Sequence, residues 1–185
     1  MSSSIDLSGT AHLPAVPELR EGAALLLACS SRAGESIRQA HAHWSALAGA
    51  YAAPEQHQVH RAMDGPRAAG QGVLEVASRA AAALETFAAV VEDIRSRRLA
   101  LQSAAGDLQE KERNDAGPGI SPTGVKTPVT LQGQLLQAEA DQLAQELAAA
   151  EDRCIRALDA LAGRGSGSGS GSGSREQQPI GQCLR

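Results

Sequence analysis

From Leu19 to Tyr51, apolar side chains recur in alternating steps of four and three residues: Leu19, Ala23, Leu26, Ser30, Ala33, Ile37, Ala40, Trp44, Leu47 and Tyr51, with Ser30 the one polar member. A second series runs Val73, Val76, Ala80, Ala83, Phe87, Val90, Ile94, Arg97, Leu101, Ala104 and Leu108, interrupted only by Arg97. A step averaging about 3.5 residues keeps every member on one edge of an α-helix. Two long helices are therefore expected to face each other across a turn between Trp44 and Pro66. A third series, Leu136, Ala140, Leu143, Leu147, Ala150, Cys154, Ala157 and Leu161, predicts one more helix. The expected fold is all-α: a long antiparallel helical hairpin with a third helix, forming a coiled-coil-like bundle.

The punctuation of the chain sets the expected boundaries. Residues 1–16 read as a flexible N-terminal lead-in, and Pro17 suits the first turn of a helix because its missing N–H would have no partner there. Glu18 and Glu21 then place negative charge at the positive end of the helix dipole. The first helix is expected to run from Pro17 to Ala52, although Gly22, Gly34 and Gly49 each cost it roughly 1 kcal/mol in propensity relative to alanine. Pro54 ends it, Glu55 to Met63 has the composition of a short helical piece, and Asp64-Gly65-Pro66 marks a kink or break. The second long helix should then reach about Arg113. Residues 114–130, rich in proline and glycine and without period, form a loop. The third helix covers Leu131 to Leu161, with Gly163 as a C-cap. The helical unit thus spans 17–163, and 164–185 is a Gly/Ser linker with an unfolded tail. Five consecutive Gly-Ser pairs are regular enough to be a natural linker or an engineered join.

Laid out at about 1.5 Å per residue, the second helix outruns the first by roughly 30 Å if it is nearly continuous from Glu55. The third helix is the obvious cover for Leu101, Ala104 and Leu108 on that overhang.

Composition narrows the chemistry. The hydrophobic content of 42% is mostly alanine and leucine, and Trp44, Tyr51 and Phe87 are the only aromatic residues. Small side chains let helices approach closely while each buried position contributes little, so a slender bundle is expected. Seventeen basic residues are scattered among twenty-one acidic ones for a net charge of -4, which leaves no electrostatic footprint for nucleic acid. Arg95, Arg97 and Arg98 form the only tight basic cluster, beside Glu92 and Asp93, and read as a solvated, charge-paired face. The segment MSSSIDLSGTAHLP is polar and broken by proline, so no Sec-type signal is expected there, and no apolar run is long enough for stable membrane insertion.

No residues are arranged for catalysis. No serine sits in a nucleophile elbow, no glycine loop follows a strand, and no paired carboxylates suggest a cleft. The chain is therefore read as a non-enzyme with no cofactor. His41, His43, His57 and His60 flank the turn without a recognised metal-ligand spacing and read as solvated or turn-packing side chains. Cys29, Cys154 and Cys183 are too far apart for a disulfide framework. Cys29 and Cys154 fall on apolar helix positions and are expected to be buried, unbridged thiols, on the order of 15 Å out of register.

Around the turn, Trp44, Leu47, Tyr51, Ala53-Pro54-Glu55 and Ala62-Met63 together resemble the helical N-terminal modules of actinobacterial type VII secretion substrates, similar to the Trp-x-Gly (WXG) family and often found at the head of polymorphic toxins. In such modules a pattern like W-x2-L-x3-Y-x-APE marks the hairpin turn. Ala83-Leu84 and Phe87-Ala88 resemble the second-helix positions that follow, and the segment Ala150 to Ile155 with Leu158 resembles the AER-x-C ending, here Glu151, Arg153 and Cys154. Ala46 stands where the strict Trp-x-Gly turn has glycine. Tyr51 and Glu55 spell Tyr-x3-Glu, which matches an export signal or serves turn packing.

The resemblance, which covers about residues 19 to 163, implies a non-catalytic targeting and partner-binding module, recognised as a folded hairpin. Its implied partners are a small helical secretion protein and the type VII export ATPase, with a homodimer also open. The implied location is cytoplasmic before export, then secreted or at the cell surface. Its partner-binding and turn residues are Trp44, Leu47, Tyr51, Pro54, Glu55 and Met63. A second reading is an intracellular coiled-coil scaffold or self-associating helical protein.

Overall fold

A computed structural model of the chain describes residues 5–47, 50, 53–115 and 128–165. The described residues form an all-α bundle of three long helices and one short one: α1 (Val16–Leu47), α2 (Gln56–Arg61), α3 (Asp64–Asp115) and α4 (Pro128–Gly165). Tyr51, the end of the first helix expected at Ala52, loop residues 116–127 and residues 166–185 lie outside the described residues.

Local chemistry explains the starts. Leu19 N donates to Ala15 O at 3.2 Å, closing the first turn of α1 around Pro17 and Glu18. Pro54 occupies a tight turn closed by Gln56 N donating to Ala53 O at 3.0 Å, where its fixed φ is an advantage. The Glu55 carbonyl then accepts from Gln58 N at 2.9 Å and starts α2. The expected break falls just before Asp64. Arg67 N donates to Met63 O at 3.1 Å, so Asp64, Gly65 and Pro66 make the first turn of α3, a place where proline's absent donor costs nothing. Gly163, expected to cap the third helix, lies inside α4, which continues to Gly165. It is exposed and nothing crowds it, so it does not need to break the helix.

Fifty-two residues make α3 about 78 Å long, against about 48 Å for α1 and about 57 Å for α4. It is the spine, with α1 packed along one part and α4 along another. The two partners use different edges of it. On the α1 side, Gly70, Ala77, Ala81, Ala88 and Val91 are buried, and Ile37 Cδ1 lies 2.6 Å from where a Cβ on Gly70 would stand. On the α4 side, the Cys154 thiol faces Ala83 O at 4.0 Å and Arg97 meets Glu146. Ile94, Leu101 and Leu108 are buried there with Ala140, Leu143, Leu147 and Ala150.

The series from Val73 to Leu108 therefore does not face α1 as expected. From Ala83 onward it faces α4, and α1 sits about one residue around the helix, on a row of mostly small side chains. Val73 is 55% exposed. Leu101 and Leu108 are covered by α4 as the overhang required.

The lead-in is docked from Ile5 onward, contrary to the flexible segment expected for residues 1–16. A 3-10 turn at Ser8–Thr10 packs on α4, with Thr10 1% exposed. Asp6 N donates to Gln137 Oε1 at 2.8 Å, and the Asp6 carboxylate accepts from Ser8 N at 2.8 Å. The Ser8 backbone and hydroxyl hold that carboxyl below its usual range. Arg95 anchors the other end by donating to Pro14 O at 3.1 Å. Ile5, Leu7 and Leu13 pack against the core built from Val16, Val91, Ile94 and Leu143.

Gly9 permits this approach: a Cβ placed on it would stand 2.7 Å from Ala144 Cβ, an atom that cannot rotate away. Gly9→Val is expected to lift the turn off α4 at a cost of about 1–2 kcal/mol. Hydrogen exchange should then rise at Thr10 and Ala11, whose amides bond within the turn, and not at the far end of α1.

Candidate partner-binding site

The closed end of the hairpin is held by Trp44. The ring is half-buried, and its Nε1 donates to Val59 O at 2.8 Å, joining α1 to α2 across the reversal of direction. The bond satisfies the indole donor while the ring covers apolar surface. Met63 is half-buried, and Pro54 and Glu55 lie exposed on the turn. The side chain of Leu47 and all of Tyr51 lie outside the described residues, so a Tyr51–Glu55 signal has no described geometry. His57 is exposed and His60 half-buried. Among the described residues no group of three His, Cys, Asp or Glu side chains is placed to hold a metal ion.

The motif residues of the third helix lie far from this turn along the bundle. Glu151 and Arg153 are exposed, and Leu158 is half-buried. Cys154 is half-buried, and burial pushes its thiol pKa up, so it is a poor nucleophile near neutral pH. Cys29 is exposed, which corrects the expectation of a buried thiol. Both cysteines are free, as expected. The structure thus gathers Trp44, Pro54, Glu55 and Met63 at one end and places Arg153 and Cys154 along the α3·α4 contact.

No family model, no curated protein and no solved structure matches this chain. No described helix is long and apolar enough to cross a membrane.

Two features have no counterpart among the residues picked from sequence. Val59, the acceptor for Trp44, contributes a backbone carbonyl, which leaves no trace in residue type. Glu146 is the other. Arg97, the one break in the α3 series, extends to Glu146 Oε2 at 2.6 Å and to Asp93 Oδ2 at 3.4 Å, while Gln142 Nε2 donates to Glu146 Oε1 at 2.8 Å. Of the two carboxylates, Glu146 lies on the facing helix and Asp93 on the same helix as Arg97, so a carboxylate opposite a seam arginine was the available signal.

The Arg97 and Gln142 hydrogen bonds hold the Glu146 carboxyl below its ordinary value. A depressed carboxylate pKa adds stability above the unfolded-state value of 4.5, and that stability is lost as pH falls through the folded-state value. Arg97 is shifted upward by the same bond, so it stays charged throughout the neutral and acid range, and the pair is lost only when Glu146 takes up a proton. Both side chains are about one-third exposed, which limits the pair to about 1 kcal/mol or less. Thermal unfolding at pH 7 and at pH 3 should show a smaller acid loss for Glu146→Gln than for the parent chain. Equal losses would remove the pair from the acid response.

Proposed function

We propose that this chain is the non-catalytic targeting and partner-binding module of a type VII secretion substrate, recognised as a folded helical hairpin by a small helical partner and the export ATPase. The observation that carries the reading is the Trp44 Nε1–Val59 O bond of 2.8 Å, which ties the hairpin shut at the turn where the resemblance locates its signature. A folded signal must hold its shape without cargo, and a tryptophan clasp between two helices serves that end. Exposed apolar side chains at Leu25, Val73, Val76 and Ile155 supply surface for helical partners. Before export the protein is cytoplasmic, and afterwards it is secreted or held at the cell surface.

The test is export from a host carrying the secretion system. The protein should appear in the medium when the ATPase is intact and stay inside when it is inactivated. Trp44→Ala should lower export more than it lowers the amount of protein inside the cell. Accumulation in the medium without the ATPase, or none with it, contradicts the proposal.

A further inference from the structure

Beside the contact of Ile37 with Gly70, α1 and α3 enclose a half-open cleft of about 510 Å³. The two helices run antiparallel, since Arg20 meets Glu92 near the start of α1 and Ile37 meets Gly70 farther on. With Ile37 level with Gly70, Arg67 falls level with Ala40, and Arg38 and His41 of α1 start within about 3 Å of it along the axis. One turn along α3, Gln71 lines the same wall. Toward the other end the lining changes, because Leu74 falls level with Ala33, beside Gly34 and Ser31. The cleft therefore has a cationic end and a mainly apolar end, about 10 Å apart along α3 from Arg67 to Leu74.

The charges at the cationic end are not spent on one another. Glu35 is engaged on its own helix, where Oε1 accepts from Gln39 Nε2 at 2.8 Å and Oε2 pairs with Arg38. Arg67 forms no ion pair among the described residues. His41 Nδ1 lies 3.4 Å from Ser45 Oγ, and no hydrogen bond among the described residues engages its Nε2. Arg38 and Arg67 against Glu35 leave the lining with one net positive charge. At the far end Leu74 is 37% exposed, and a Cβ on Gly34 would meet nothing within 4 Å, so apolar surface and free space lie together.

We propose that this cleft is a binding site for a small amphipathic carboxylate, a monoanion with an apolar chain of about eight carbons. A carboxylate between the helices accepts hydrogen bonds from the Arg67 and Arg38 guanidinium groups, whose planar forks match its two oxygens. One negative charge balances the net charge of the lining. The chain then runs past Ile37 toward Gly34 and Leu74, and eight extended carbons span about 10 Å, the length available. An alcohol of the same length gives up the charge-assisted bonds, and a short carboxylate gives up the apolar end.

Titration of the 15N-labelled full chain with sodium octanoate, followed through backbone amide signals, reads the result. Saturable shifts are expected within 31–42 and 67–74, the stretches that line the cleft. A Kd on the order of 0.1–1 mM fits a ten-atom ligand in a half-open site. Arg67→Gln and Arg38→Gln should each weaken binding about 10-fold, and octan-1-ol and acetate should each bind at least about 10-fold more weakly than octanoate. Gly34→Leu places a side chain in the apolar end and should abolish binding. Leucine favours a helix over glycine and has room there, so helical circular dichroism and the melting temperature should be retained or raised. No saturable shift up to about 10 mM octanoate, shifts centred elsewhere on the bundle, octan-1-ol or acetate binding as well as octanoate, or full binding by Gly34→Leu would each overturn the inference. Secretion plays no part in this experiment, so its outcome and that of the export test are independent.

Discussion

Truncating Ile94 or Leu143 to alanine is expected to lower the free energy of unfolding by about 2–5 kcal/mol, the largest effect of any single change in this chain. Both side chains are fully buried, and they belong to the one cluster in which α3, α4, the start of α1 and the docked lead-in share a core. In a bundle whose other contacts are largely alanine, few positions bury a large side chain completely, so the loss cannot be shared widely. Deleting such a side chain leaves a cavity between helices held by other contacts, and the cost combines lost transfer energy with that cavity. Urea unfolding followed by circular dichroism should show a lower midpoint with an unchanged slope. The same truncation at Leu135, which is 71% exposed, should change stability by less than about 0.5 kcal/mol.

The second large effect is expected at Trp44. Trp44→Ala removes the half-buried ring and the bond to Val59, for about 2–3 kcal/mol, below the range for a fully buried tryptophan. Trp44→Phe keeps most of the packing and loses the donor, for about 1 kcal/mol. The damage should be local. Amide exchange should accelerate in α2 and the last turns of α1, while α4 keeps its protection, because the turn lies about 45 Å along the spine from Ile94. Uniform acceleration along the whole chain would instead make the turn part of a single cooperative core.

How much of this was legible depended on how strongly each contact was written in apolar side chains. The α4 seam, from Leu136 to Leu161, carried large residues at regular steps, and most of those positions are buried or half-buried. The α3 series was equally clear but pointed at the wrong partner. A helix gripped on two sides must carry two seams, and the stronger one, with Phe87, Val90, Ile94 and Leu101, belongs to α4. The seam for α1 runs through Gly70, Ala77, Ala81 and Ala88, residues chosen for close approach rather than hydropathy, and so gave a weak periodic signal.

The lead-in was missed for a different reason. Its contacts come from one 3-10 turn and scattered apolar residues at 5, 7 and 13, which have no period to detect. On α1 the step also slips. Gly34, Ile37, His41 and Trp44 follow Ser30 as the covered or half-covered edge, so Ala33 and Ala40 turn outward. At the turn, Trp44 could be picked as an anchor from its seam position, but its acceptor is a backbone carbonyl and had no sequence signature.

The spine arrangement is tested most directly by methyl NOE contacts from Ile37. With α1 seated on the Gly70 edge of α3, the Ile37 δ-methyl should show a strong cross-peak to the Gly70 α-protons. Cross-peaks from that methyl to Val73 and Val76, with none to Gly70, would place α1 on the other seam and contradict the account.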